Sequence, residues 1–398
     1  MVAAVVLVLV VAFGAGVLYF DRDSSDDGSV TAQPGAPDAA AKQETPETPP
    51  PSTNPPTTTT TTTPHDPARS FNLAKVTTIG GPISPKSVIS TGTGLVFAQN
   101  MMYHHTVTVY DADGTLVKTI DDGVDLAKFG FPEHPGISKG APVEAAVDHA
   151  QKSVFASNYA MYGNGHGPEG SDECGGPGGL TPSYVYEIGL KSLAIDKVGK
   201  VGMVPKYVAV TPNDKYVLVT NWCSYDMSVL DRATLKEVKR VSLGAYPRGI
   251  VVNADSSIAY VAVMGSTEVA RVHLGSFAVD KFAVGSSPRH LVLSPDGKRL
   301  YITLNGENSV VAVDTATNQV VGRVNTGNQP RSMTISPDGR ALYVVNYSSS
   351  TMSVVRTADL GIAQTIQVSS HPIGIAYEPV KHRVWVACYG GEILVYDA

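Results

Sequence analysis

One stretch of about 42 residues repeats along the chain, and that repeat restricts the fold more than any other feature. PRHLVLSPDGKRLYITLNGENSVVAVDTATNQVVGRVNTG from Pro288 aligns by eye with PRSMTISPDGRALYVVNYSSSTMSVVRTADLGIAQTIQVS from Pro330. The same frame recurs from Pro247 and Pro205, and a shorter copy begins at His371. Each unit holds four short runs of alternating apolar residues separated by turn signals, which is the period of β-strands. SPDG between the first two runs supplies Asp and Gly where a hairpin needs them. Four antiparallel strands per unit of this length describe one blade of a β-propeller.

With the leading proline as a register mark, units start at Pro85, Pro142, Pro205, Pro247, Pro288, Pro330 and Pro372. Seven marks predict seven blades. The two wide spacings, before Pro142 and before Pro205, predict insertions at 124–140 and 160–182. The last unit ends at Ala398 after three strands. FNLAKVTTIG at 71–80 matches the fourth-strand pattern VVGRVNTG at 320–327, so the N-terminal strand is expected to complete the last blade. Closure of that kind removes the open sheet edges of a linear array. The expected class is all-β, a seven-bladed propeller over 69–398.

Two segments precede it. Residues 2–20, VAAVVLVLVVAFGAGVLYF, carry no charge and are long enough to cross a hydrocarbon core as a helix. Acidic residues follow at once. A transmembrane anchor at 1–20 is expected, single-pass, with the propeller outside the cell; a cleaved signal peptide, giving a secreted protein, is the alternative. Residues 21–68 contain ten Pro and eleven Thr and have too little apolar surface to fold. They are read as a disordered, extended linker whose Thr run at 57–63 is a candidate for O-linked sugars.

The formal net charge is −6. Residues 21–68 hold eight Asp/Glu and two Lys/Arg, so the propeller itself sums to zero. A nucleic-acid partner would require a basic excess there. A neutral surface and closed edges favour a monomer, and no cofactor motif is present.

The units resemble the YVTN β-propeller repeat family, through YVVN at 343–346 and more loosely VFASN at 154–158 and YVLVTN at 216–221. NWCSYD, AYVAVMGS and WVACYGG look like those of membrane-anchored actinobacterial members. A fainter likeness links PRHLVLSPDG at 288–297 to seven-bladed lactonases. These commonly follow it with Tyr-Val-x-Asn-Glu, where this chain has YITLNGEN with Glu307 displaced. The family pattern specifies fold far better than function.

Blade geometry sorts the candidate site residues. Loops leading into the first strand and leaving the second share one rim, and both insertions fall on it. That rim collects Lys206, Arg248, Arg289, His290, Arg331 and His371 on one side and Trp222, Asn305, Tyr347 and Tyr389 on the other. Guanidinium groups suit carboxylate or phosphate, and aromatic faces suit sugars or rings. An anionic small molecule, a glycan or a protein segment at the channel mouth is the expected ligand. A lactonase-like reading would use His290 as general base with Arg248, Arg289 and Arg331 holding the acid group, assisted by Glu307 or Glu169. His104, His105 and His166 are the weaker candidates for a metal site in an envelope protein. Cys174 and Cys223, on adjacent blades, are expected to form a disulfide that leaves Cys388 over.

Overall fold

The computed structural model describes residues 69–163, 166, 173–175 and 179–398. The expected anchor at 1–20, the linker at 21–68 and Glu169 lie outside the described residues. Among the described residues no helix is long and apolar enough to cross a membrane.

All seven register prolines are the first residue of a strand: Pro85–Ser90, Pro142–Val147, Pro205–Val210, Pro247–Val252, Pro288–Leu293, Pro330–Ile335 and Pro372–Glu378. Proline lacks an N–H and is tolerated at a strand's first residue. Each of these strands opens a four-stranded antiparallel sheet, numbered here as blades 1 to 7. The seven inner strands touch in cyclic order, and the last, Pro372–Glu378, packs on the first, Pro85–Ser90. The chain is therefore a closed seven-bladed propeller.

Closure is made by Ala74–Ile79, which runs antiparallel to Glu392–Asp397 as the outer strand of blade 7. The segment before it is fastened to blade 6: Gln364 receives the Leu73 N–H at 2.9 Å, and the Tyr343 hydroxyl donates to the Ser70 carbonyl at 3.1 Å.

The hairpins follow from local chemistry. In blade 5, Ser294 bonds Asp296 at 2.6 Å, and Gly297, at φ +69°, donates to the Ser294 carbonyl. The core lies between blades, where second and third strands meet; Phe97, Phe155, Tyr343 and Trp385 are fully buried there. Asparagines close four of the seven second strands, at Asn100, Asn158, Asn221 and Asn346. Asn221 receives the Gly202 N–H at 3.0 Å and donates to Asp226 and Ser228. Asn100 and Asn346 repeat part of that pattern. Their role is to tie neighbouring strands together, and their burial keeps them from any ligand.

Candidate functional site

Alternation along the inner strands decides what faces the central channel. The fourth residues, such as Val88, Val208, Ile250, Leu291 and Met333, are buried between blades. Most of the third and fifth residues line a cavity along the axis, where the edges of the fourth residues join them. Immediately after its proline every inner strand slips register against its neighbour. A bulge of this kind re-aims side chains, and here it brings the second residue close to the channel as well.

The third residues form one layer: Ser87, Glu144, Tyr207, Gly249, His290, Ser332 and Gly374. The layer is lopsided. Blades 2, 3 and 5 supply Glu144, Tyr207 and His290, whereas blades 6, 7 and 1 supply Ser332, Gly374 and Ser87. The two glycines are set by close approach of backbones. A Cβ on Gly374 would sit 2.6 Å from the Ser87 Cα, and one on Gly249 would sit 2.8 Å from the Arg289 carbonyl oxygen.

Tyr207 and His290 reach across Gly249 and bond, Oη to Nε2, at 2.8 Å. The Met333 N–H approaches His290 Nδ1 at 3.5 Å. Burial, with Arg289 and Arg248 nearby, pushes the imidazole down to about 3, so the ring is neutral. With Nδ1 accepting, Nε2 carries the proton and donates to Tyr207, which frees the phenol hydrogen to point into the channel. Burial, and then Glu144, holds that phenol well above its ordinary range. Glu144 is pushed up to about 7 by burial, against the pull of Lys86, Arg248 and Arg289 and a bond from Ser87. Sequence reasoning missed Glu144. Its signal was positional, since it stands in the register column of His290 and Tyr207.

The basic second residues stand behind the channel wall and are not displayed on the rim. Lys86, Lys206, Arg248, Arg289 and Arg331 are all buried. Most lie on an aromatic side chain that follows a second strand. Lys206 sits 4.2 Å from the Tyr159 ring centroid, Arg248 is 5.6 Å from Trp222, Arg331 is 3.7 Å from Tyr347, and Lys86 is 4.9 Å from Tyr389. Where the aromatic is replaced by Met264, Arg289 approaches its sulfur at 3.7 Å. The rim aromatics thus hold cations belonging to the protein, and these guanidinium groups act on the channel through their field. Asn305 occupies the same column and is buried. His371 is exposed beside Tyr347, with ring centroids 4.6 Å apart.

The remaining candidates stand apart. His104 bonds Ser84, His105 bonds the Gly140 carbonyl, and His166 bonds Ser138 while stacking on His134 at 4.1 Å. Among the described residues no group of three His, Cys, Asp or Glu side chains is arranged to hold a metal. Glu307 accepts the Ser286 N–H and pairs with Arg323, away from His290. Cys174 and Cys223 are joined by a disulfide, and Cys388 is buried.

Below the third-residue layer the channel opens into a cavity of about 410 Å³ walled by Glu144, Tyr207, His290, Ser332 and Gly374 together with the apolar fourth and fifth residues. A second cavity of about 350 Å³ reaches the hairpin-turn rim past His149, Gln151 and Pro337. The two share Ser90, Thr334 and Tyr377 as walls, so they stack along the axis.

Three comparisons bear on this geometry. A family model described as a lactonase, 7-bladed beta-propeller, matches residues 290–365, about a fifth of the chain. Antigen Lp49 of Leptospira interrogans serogroup Icterohaemorrhagiae serovar copenhageni (strain Fiocruz L1-130) is 30% identical over 108 residues. That match takes in 26% of this chain and 23% of the relative, so it spans less than a quarter of the relative's own length. A chain of the Kuenenia stuttgartiensis hydrazine synthase superposes with a TM-score of 0.64 at 16% identity, covering 80% of this chain and 97% of that one. At such identity the likeness is one of architecture, and on architecture the family match, the neighbour and the coordinates agree: this chain carries a seven-bladed β-propeller.

Proposed function

We propose that the propeller is a binding module that takes a small anion into its central channel, held outside the cell by the N-terminal apolar segment. The observation that carries this reading is electrostatic. The charged side chains acting on Glu144 are cations, Lys86, Arg248 and Arg289. They lie behind the polar third-residue layer of a walled cavity, where a field is focused and weakly screened. Ser332 and Tyr207 supply polar contacts, and a protonated Glu144 supplies a third. The test is calorimetric titration with acetate, hexanoate, gluconate and phosphate at pH 6. At least one anion binds wild type, and Arg248→Gln/Arg289→Gln weakens it about tenfold or more. Unchanged affinity in a variant whose circular dichroism matches wild type overturns the reading.

A hydrolytic role is the second reading, favoured by the lactonase family match over 290–365. The chemistry would fall to Glu144, because His290 is neutral with both ring nitrogens engaged. It expects gluconolactone turnover that Glu144→Gln removes and His290→Gln spares; no turnover by wild type ends it.

A further inference from the structure

The channel changes character with depth. At the third residue of the inner strands it is polar and lies under the cations. One layer further toward the turn rim the cavity is lined by fifth residues, Ile89, Val251, Val292 and Ala376 beside Thr334, with apolar fourth residues such as Leu291 and Ile375 between them. Beyond these the wall becomes polar again at Asp148 and His149, at the turn-side mouth. Adjacent layers are two residues apart, about 7 Å along a strand.

The two ends are closed to different degrees. Toward the insertion-bearing rim, the residues next above the third-residue layer are buried cations packed on Tyr347, Tyr389 and Trp222. None of those cations lines either cavity. Toward the turn rim the two cavities are stacked, and their shared walls, Ser90, Thr334 and Tyr377, belong to blades 1, 6 and 7. This is the side where the layer above is made of Ser332, Gly374 and Ser87. The open half of the channel is therefore continuous with the plain rim, the one opposite the insertions.

We infer that the channel ligand is a short amphiphilic monocarboxylate that enters from the turn rim, carboxylate first, with its head at the Glu144–Tyr207 layer and its apolar body along the Ile89–Val251–Val292 layer. This rests on the anion reading above and adds to it a chain and a direction. A compact polyanion would leave the apolar layer wet, and a neutral alcohol would forgo the cation field.

The probe is a homologous series of acetate, butyrate and hexanoate, with hexanol and phosphate as comparisons, titrated calorimetrically into the propeller. Burial of about 0.8 kcal/mol per methylene predicts affinity rising roughly three- to fourfold for each added CH₂, with hexanol weak. Equal binding of acetate, phosphate and hexanoate leaves the anion reading intact and overturns this inference. Binding by none of these anions, nor by gluconate, overturns both. Direction is tested separately with a bulky maleimide on exposed single cysteines, His149→Cys at the turn-side mouth and Ser370→Cys on the insertion rim; buried Cys388 stays unlabelled. The label at 149 slows hexanoate association tenfold or more, and the label at 370 leaves it unchanged. The reverse pattern overturns the proposed direction.

Discussion

At the scale of single residues, Glu144 is a carboxyl at the channel whose protonation the fold alters. Its carboxyl is raised in the folded chain, so the folded state binds a proton more readily than the unfolded one. The stability this gives is full below the ordinary carboxylate range and is lost as pH rises through about 7. Denaturant titrations from pH 4.5 to 8 should therefore show wild type losing stability across that window relative to Glu144→Gln, and parallel curves would contradict the assignment. A second prediction concerns Arg331 and Tyr347, packed 3.7 Å apart with the cation buried. A double-mutant cycle of Arg331→Met and Tyr347→Ala should return a coupling of about 1–2 kcal/mol; a value near zero would mean the contact is incidental. These residues also mark the limit of what the sequence discloses. The Pro-Arg column was visible, and so was its meeting with the aromatics. That the meeting uses up the aromatic faces depends on a register slip at each strand start, which leaves no trace in composition. Glu144 went unseen because blade 2 has Val143 where five of the other six blades have a cation, so the column looked empty there.

At the scale of elements, the blade is the unit in which sequence and structure correspond most directly. Four runs per repeat became four strands per sheet, because alternation with period two fixes which face is buried. The insertions were legible only as excess length. Their short strands, Val124–Asp125, Ile137–Lys139 and Tyr162–Gly163, pair with one another in a small sheet and carry too few apolar residues to be recognised singly. The disulfide belongs to this scale. It closes a loop with a sequence separation of 49, and Cys174→Ser/Cys223→Ser should lower stability by about 2–4 kcal/mol. Urea unfolding without reductant measures it, and an unchanged midpoint would show the bridge to be dispensable. The closing strand should matter more. Removing residues 69–79 uncovers the edge at Glu392–Asp397 and strips the cover from Tyr343. The truncated chain is expected to lose cooperative thermal unfolding or to aggregate, and calorimetry showing a single sharp transition near that of wild type would contradict this.

For the whole molecule, the polar layer at the channel's waist has a consequence for how selectivity is inherited. Each of its seven positions is contributed by a different, independently hydrogen-bonded sheet, and no two of them are neighbours in the chain. A substitution at position 87 or 332 would rewrite one sector of the waist while leaving every ladder untouched. The glycines at 249 and 374 are the fixed sectors, because neighbouring backbones leave no room for a Cβ. Two sectors are thus frozen, and Tyr207 and His290 are tied to each other by their hydrogen bond. Duplicated descendants of such a chain would diversify in what they admit by a handful of exchanges, Tyr207 and His290 changing as a pair, with the barrel of blades around them unchanged.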